Sequence, residues 1–285
     1  MGCGLFNWKV KSAWRRVSTS PKNRNGTLVP HVNSAPATSN CKEAPTAEAT
    51  DKPLPSFMTS YTQRTYAHDA FLIASHDEIS RLAHERTKHI IEAMVTPEQA
   101  TDLRKLGSAI VIVGVHEKLT EIPGFEFLAD DPNTNWNGTD GCGATEWLPV
   151  STIFERHLLH TPEDAYIQEN ILVHEFAHHV MDIWIAKMRP DWMTELHNAW
   201  NSAKQNTAYL PDCYATCNPG EYFAEGAQLF FNATGRTDKD STGGMTHARL
   251  PHADPQLFHL LRRVFTQPWD CVGDMGSVCY LTCWD

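Results

Sequence analysis

Ile171-Leu172-Val173-His174-Glu175-Phe176-Ala177-His178-His179-Val180 is the stretch from which the rest of the chain is read. In a helix of ~3.6 residues per turn, His174 and His178 share one face, so both imidazoles can reach one metal ion while Glu175 points beside them at a coordinated water. Ile171 to Val173 before the motif, and Phe176, Ala177, Val180, Ile183 and Trp184 around and after it, suit a helix buried on one side that keeps polar groups for a purpose. Random placement of the chain's histidines and glutamates gives about 0.05 occurrences of His-Glu-x-x-His, so accident is a poor account of it.

The chain's 285 residues, 41% of them hydrophobic and nine of them Trp, can build one large or two small cores. Lys9, Lys11, Arg15, Arg16, Lys22 and Arg24 fall within the first 40 residues, which contain no acid, so all 34 acidic groups lie in the remainder. An acidic body argues against nucleic acid as a partner. No apolar stretch of ~18 residues exists, which excludes a transmembrane helix.

The eight cysteines, Cys3, Cys41, Cys142, Cys213, Cys217, Cys271, Cys279 and Cys283, favour disulfides and a secreted, extracellular setting. Three Asn-x-Thr triplets, at Asn25, Asn137 and Asn232, add little weight to export. Against it, Met1 to Val17 lacks the apolar core of ~7–15 residues that a signal peptide requires. The alternatives are membrane association through an acylated Met1-Gly2-Cys3 end, which lacks Ser or Thr at position 6, and a cytoplasmic protein.

Residues 1–60, rich in Ser, Thr, Asn, Pro and Ala, read as a disordered tail or propeptide. Residues 61–270 read as the catalytic domain, with order beginning near Tyr66, and 271–285 as a cysteine-rich tail packed on it. Ser75-His76-Asp77-Glu78 reads as a capping box opening a helix to Val95, and Thr96-Pro97-Glu98-Gln99 as the start of a second helix ending before Gly107. Ala109 to Val115 reads as a buried strand, with Phe125 to Leu128 pairing beside it. Ala129 to Pro149 is a long loop leading toward the metal helix, either a cleft wall or a disulfide-tied surface loop. Thr161-Pro162-Glu163-Asp164 reads as the cap of the metal helix, expected from about 162 to 188. Further helices are expected from Asp191 to about Lys204, from Pro219 onward and from Asp254-Pro255 through Val264.

A catalytic zinc takes three protein ligands and keeps a position for water, so one more His, Glu or Asp is needed. A third His ten residues after the first is absent, since Met181 and Trp184 stand where Gly and His would be required. His179 adjoins a ligand and cannot face the same ion. Glu195 and His197 read as helix-surface residues. Glu221 and Glu225, four apart in Glu221-Tyr222-Phe223-Ala224-Glu225, share one helical face, so Glu221 can bind the metal while Glu225 orients an imidazole behind it; the bland alternative is a solvent-exposed acidic face.

His174-Glu175-Phe176-Ala177-His178, Tyr214 and Glu221-Tyr222-Phe223-Ala224-Glu225 together resemble the catalytic domain of the anthrax toxin lethal factor-like metallopeptidases, a gluzincin group. The resemblance spans about Tyr66 to Phe265 and is strong at the two motifs. It implies an α+β, zincin-like domain, mostly helical with a small sheet, holding one Zn2+ per chain on His174, His178 and Glu221. It further implies Glu175 as the base that activates water and Tyr214, seven residues before the ligand, as a group that stabilises the oxyanion; otherwise Tyr214 is an ordinary core or surface tyrosine. The first 60 residues and the tail from Cys271 depart from the family, so its substrate specificity does not carry over. Cys213 and Cys217 are expected in disulfides to the tail or to Cys142.

The expectation is a monomeric zinc endopeptidase acting on a peptide or protein substrate. The alternatives are a catalytically silent binding protein of the same fold, an exopeptidase or non-peptide amidase, and a structural extracellular protein.

Overall fold

The computed structural model describes residues 51–266 apart from Asn133 and Asn206; readings that concern 1–50 and 267–285, including the acylation motif, the tail cysteines and most of the propeptide, lie outside the described residues. The architecture is α+β, a five-stranded sheet with helices packed against it and beyond its edge.

The strands are β1 (Gln63–Ala67), β2 (Phe71–Ser75), β3 (Ala109–Val113), β4 (Gly141–Cys142) and β5 (Val150–Phe154), in the order β1-β2-β3-β5-β4. β2, β3 and β5 run parallel, with Ile73 opposite Ile110 and Val111 opposite Thr152, while β1 and β4 are antiparallel at the two edges. The three parallel strands are buried along their whole length, as strands covered on both faces must be. Parallel neighbours need a crossover, and between β2 and β3 it is made by α1 (Arg81–Met94) and α2 (Pro97–Lys105). α2 starts where expected, with Thr96 and Gln99 forming a capping box, and Gly107 takes the left-handed turn beyond its end at φ +71°.

The metal-motif helix α4 (Ile171–His179) follows a short α3 (Glu155–Leu159) and packs on β5 and β4, with α1 also against it. A wide π-helical turn, Val180–Ile185, and a last turn, Ala186–Met188, prolong it. Then come α5 (Pro190–Ala203), α6 (Pro219–Phe230), α7 (Leu250–Ala253) and α8 (Pro255–Arg262). Trp192, Phe223, Phe230, Phe231 and Phe265 pack ring on ring in the core under α6. Among the described residues, no helix is long and apolar enough to cross a membrane.

Several expectations need correction. The fold extends upstream of Tyr66: Met58 is buried in a 3-10 turn, Ser56–Ser60, and the Lys52 N–H donates to the Lys105 carbonyl. Ser75 ends β2, and the cap of α1 is Ser80, whose hydroxyl accepts from Ala83 N–H while Glu155 accepts from Ser80 N–H, a carboxylate arriving from another element to do what a local Glu would do. Phe125 to Leu128 does not pair with β3, whose edges are taken by β2 and β5; 3-10 turn Glu126–Asp130 occupies that segment. The metal helix starts at Ile171 under an Asn170 cap, Thr161 to Gln168 is irregular with turns, and Glu169 makes an isolated bridge to Thr234. Gly141–Cys142 in the long loop is strand β4. Cys142, Cys213 and Cys217 form no disulfide with one another.

Candidate metal centre

α4 and α6 pack against each other, bringing together residues 47 positions apart in sequence. The Asn170 side chain accepts from Val173 N–H and sets the start of α4, so His174 and His178 rise on consecutive turns of one face. Asn218 does the same for α6, accepting from Gly220 and Glu221 N–H groups, and places Glu221 in the first turn, where the helix dipole favours a carboxylate.

His174 Nε2 lies 3.2 Å from His178 Nε2 and 3.1 Å from Glu221 Oε2, and His178 Nε2 lies 3.3 Å from that same oxygen. Three donor atoms thus form a triangle in which every side chain is nearly or wholly buried, Glu221 at 1% exposure. A tetrahedral zinc with bonds of ~2.0–2.1 Å separates its ligand atoms by about 3.3–3.4 Å, so the triangle has the size of one face of that tetrahedron. Two imidazoles and a carboxylate are also the donor set that zinc favours. The residues fit the ion.

The electrostatics agree with a centre built for positive charge. Burial would raise the Glu221 carboxyl, but the His178 and His174 rings hold it well below the usual range. Burial would depress His174, but Glu221 and Glu225 raise it well above its ordinary value.

Glu175, 9% exposed, sits beside the triangle under β4. A Cβ on Gly141 would come within 2.7 Å of Glu175 Cγ, and one on Gly143 within 2.8 Å of His178 Cβ and 3.2 Å of Glu175 Oε2, so only glycines allow this approach. The Tyr214 ring stacks near His174, centroids 6.3 Å apart, with its phenol raised well above its ordinary value by burial and then by the Glu221 carboxylate. Its segment is held by Tyr214 N–H to Lys239 O and Ala215 N–H to Ser241 O. Glu225 Oε1 lies 3.4 Å from His174 Nδ1, and its other oxygen accepts from the Ser241 hydroxyl. Glu195, by contrast, pairs with Arg263 at the surface, away from the centre.

Glu175, His174, His178, Tyr214, Glu221 and Glu225 are therefore neighbours. Gln228, Gly141 and Gly143 belong to the same surroundings without having been singled out in the sequence. Gln228 had a signal, since it continues the Glu221, Glu225 face at the next helical step.

A second buried cluster, Asp140, His157 and Asp164, also groups potential ligands. Its hydrogen bonds assign it a different role. His157 Nε2 accepts from Ile171 N–H at 2.9 Å, so Nδ1 carries the proton and donates to Asp164 at 3.1 Å, which removes the lone pair a metal would need. Asp164 also takes His160 Nδ1 and Tyr166 N–H, and Arg156 pairs with Asp140. The cluster ties the start of α4 to α3 and β4.

Among solved structures, the chain is similar to the Pro-Pro endopeptidase PPEP-2 from Paenibacillus alvei, with 17% identity and a TM-score of 0.46, over 67% of this chain and 96% of that one. No protein-family model and no curated protein sequence matches it.

Proposed function

We propose that this protein is a zinc-dependent metallopeptidase of the gluzincin kind, related to the lethal factor-like group, that hydrolyses internal peptide bonds. The observation that carries the reading is the buried triangle of His174 Nε2, His178 Nε2 and Glu221 Oε2, with Glu175 beside it. In this reading those three residues hold the ion. A bound zinc supplies Lewis acidity, polarising a carbonyl and lowering the pKa of water at the centre.

The chain's own residues supply the rest. Glu175 accepts the proton of the attacking water and delivers it to the leaving amine, the role a carboxylate fixed beside the centre can fill. Tyr214, whose raised pKa keeps its hydroxyl protonated, donates a hydrogen bond to the oxygen that gains negative charge. Ser241 fixes Glu225, and Glu225 faces the Nδ1 edge of His174, orienting the ring. β4 ends the sheet beside Glu175, and an edge strand offers backbone donors and acceptors to an extended peptide, which favours a peptide substrate.

Glu175→Gln tests this. The variant is expected to retain about one zinc per chain by elemental analysis while losing hydrolysis of a peptide library. Full activity in the variant, or wild-type protein without zinc after purification free of chelators, overturns the proposal.

A further inference from the structure

We infer that Gln228 is a positioning residue for the metal centre, presenting its amide oxygen to His174 so that the opposite ring nitrogen keeps its lone pair for the ion; this rests on the zinc reading above. Gln228 is wholly buried on α6, two turns beyond Glu221. Its Nε2 is 3.0 Å from the Asn170 carbonyl oxygen, and its Oε1 is 3.4 Å from His174 Nδ1. A carbonyl can only accept, so the amide nitrogen must face Asn170 and the oxygen must face the imidazole. That oxygen in turn accepts only, so His174 carries its proton on Nδ1, leaving the Nε2 lone pair directed into the triangle with Glu221 Oε2 and His178 Nε2.

The position of the amide is itself fixed. Asn170 N–H donates to Ala233 O at 2.8 Å and Ala233 N–H to Gln228 O at 2.7 Å, closing a loop between the end of α6 and the cap of α4. Gln228 therefore registers the helix carrying the third ligand against the helix carrying the first two. Glu225 shares the Nδ1 edge, its Oε1 3.4 Å from that nitrogen, so two acceptors from α6 face the same side of the ring.

The test compares Gln228→Met, which keeps volume and removes both amide groups, with Gln228→Glu, which keeps an acceptor toward His174. Zinc affinity is read by chelator competition, and the His174 Nδ1–H resonance by NMR of the zinc-loaded protein. Gln228→Met is expected to weaken zinc binding about 10–100-fold and to move the resonance, with Gln228→Glu retaining the tighter binding of the two. Wild-type affinity in Gln228→Met overturns the inference, as does an equal loss in both variants with the His174 resonance unmoved, which would make Gln228 a tether of Asn170 only. If wild-type protein binds no zinc, the metal-centre reading itself has failed; if it binds and Gln228→Met binds equally, only the role of Gln228 has.

Discussion

Consecutive residues of an α-helix leave its axis ~100° apart, so His178 and His179 enter different surroundings. His178 faces the ligand triangle. His179, wholly buried between Phe71 and Phe176, puts Nδ1 2.8 Å from the Ser151 hydroxyl, which also accepts from Ala144 N–H. Burial pushes its pKa down to about 3. In the unfolded chain the ring titrates near ~6.5, so between about pH 6.5 and pH 3 unfolding takes up a proton. The associated stability is complete above that window and falls with pH inside it, by at most ~1.4 kcal/mol per pH unit. His179→Gln removes the titration. Denaturant unfolding at pH 7, 6 and 5 is expected to show a shallower decline for the variant than for wild type, and parallel declines would refute the assignment. At this scale the sequence was most informative about His174, Glu175 and His178, because helical spacing is local. Gln228 showed only its place on the Glu221, Glu225 face, because its role depends on Asn170, which only folding brings to it.

The edge strand β4 owes its place to what Gly141 and Gly143 lack. A methyl group at Gly143 would fall 2.8 Å from His178 Cβ, an atom on rigid helix that cannot move aside, and 3.2 Å from the Glu175 carboxylate. Gly143→Ala must push β4 from α4. Overpacking of this kind costs about 1–3 kcal/mol of stability, and a displacement approaching 1 Å beside a catalytic group costs ~10²-fold in rate. The variant is expected to lose about that factor in kcat/KM while still binding zinc; unchanged kcat/KM would show that β4 does not bear on Glu175. β4 is only two residues long and reads as turn in the sequence because Gly141 within it and Gly143 just beyond it serve a close approach. β2 and β5 were hidden for another reason: buried on both faces, they show no alternation, and β5 carries Ser151 and Thr152 among its apolar residues. The start of α4 was misplaced because Thr161-Pro162-Glu163 has all the local chemistry of a helix opening. The Asp164–His157–Ile171 hydrogen bonds, which only tertiary packing creates, hold that segment as turn.

Across the whole molecule, the centre clamps α4, lying on the sheet, to α6, lying on the aromatic cluster with Trp192 and Phe265. The helices α2, α5, α6 and α8 follow from local capping and period and the α+β class from the family resemblance, whereas the clamp joins segments 47 residues apart and was visible only as two motifs awaiting a common ion. The clamp also carries a thermodynamic consequence. An ion that binds the folded chain alone stabilises it by RT ln(1 + [L]/Kd), about 4 kcal/mol at a thousandfold excess over Kd. For a domain of this size each kcal/mol moves Tm by ~2–4 °C, so if the centre holds zinc as proposed, stripping the ion is expected to lower Tm by about 10 °C. Removal also leaves the buried Glu221 carboxylate beside two imidazoles with no cation but a proton to offset it. Thermal unfolding with and without chelator measures the shift, and His178→Ala supplies the control: its Tm should not respond to chelator, since one of the three ligand atoms is gone. A wild-type Tm unmoved by a chelator shown to extract the ion would mean that the two helices hold their register without it, and the centre would then be an occupant of the fold and not a clamp.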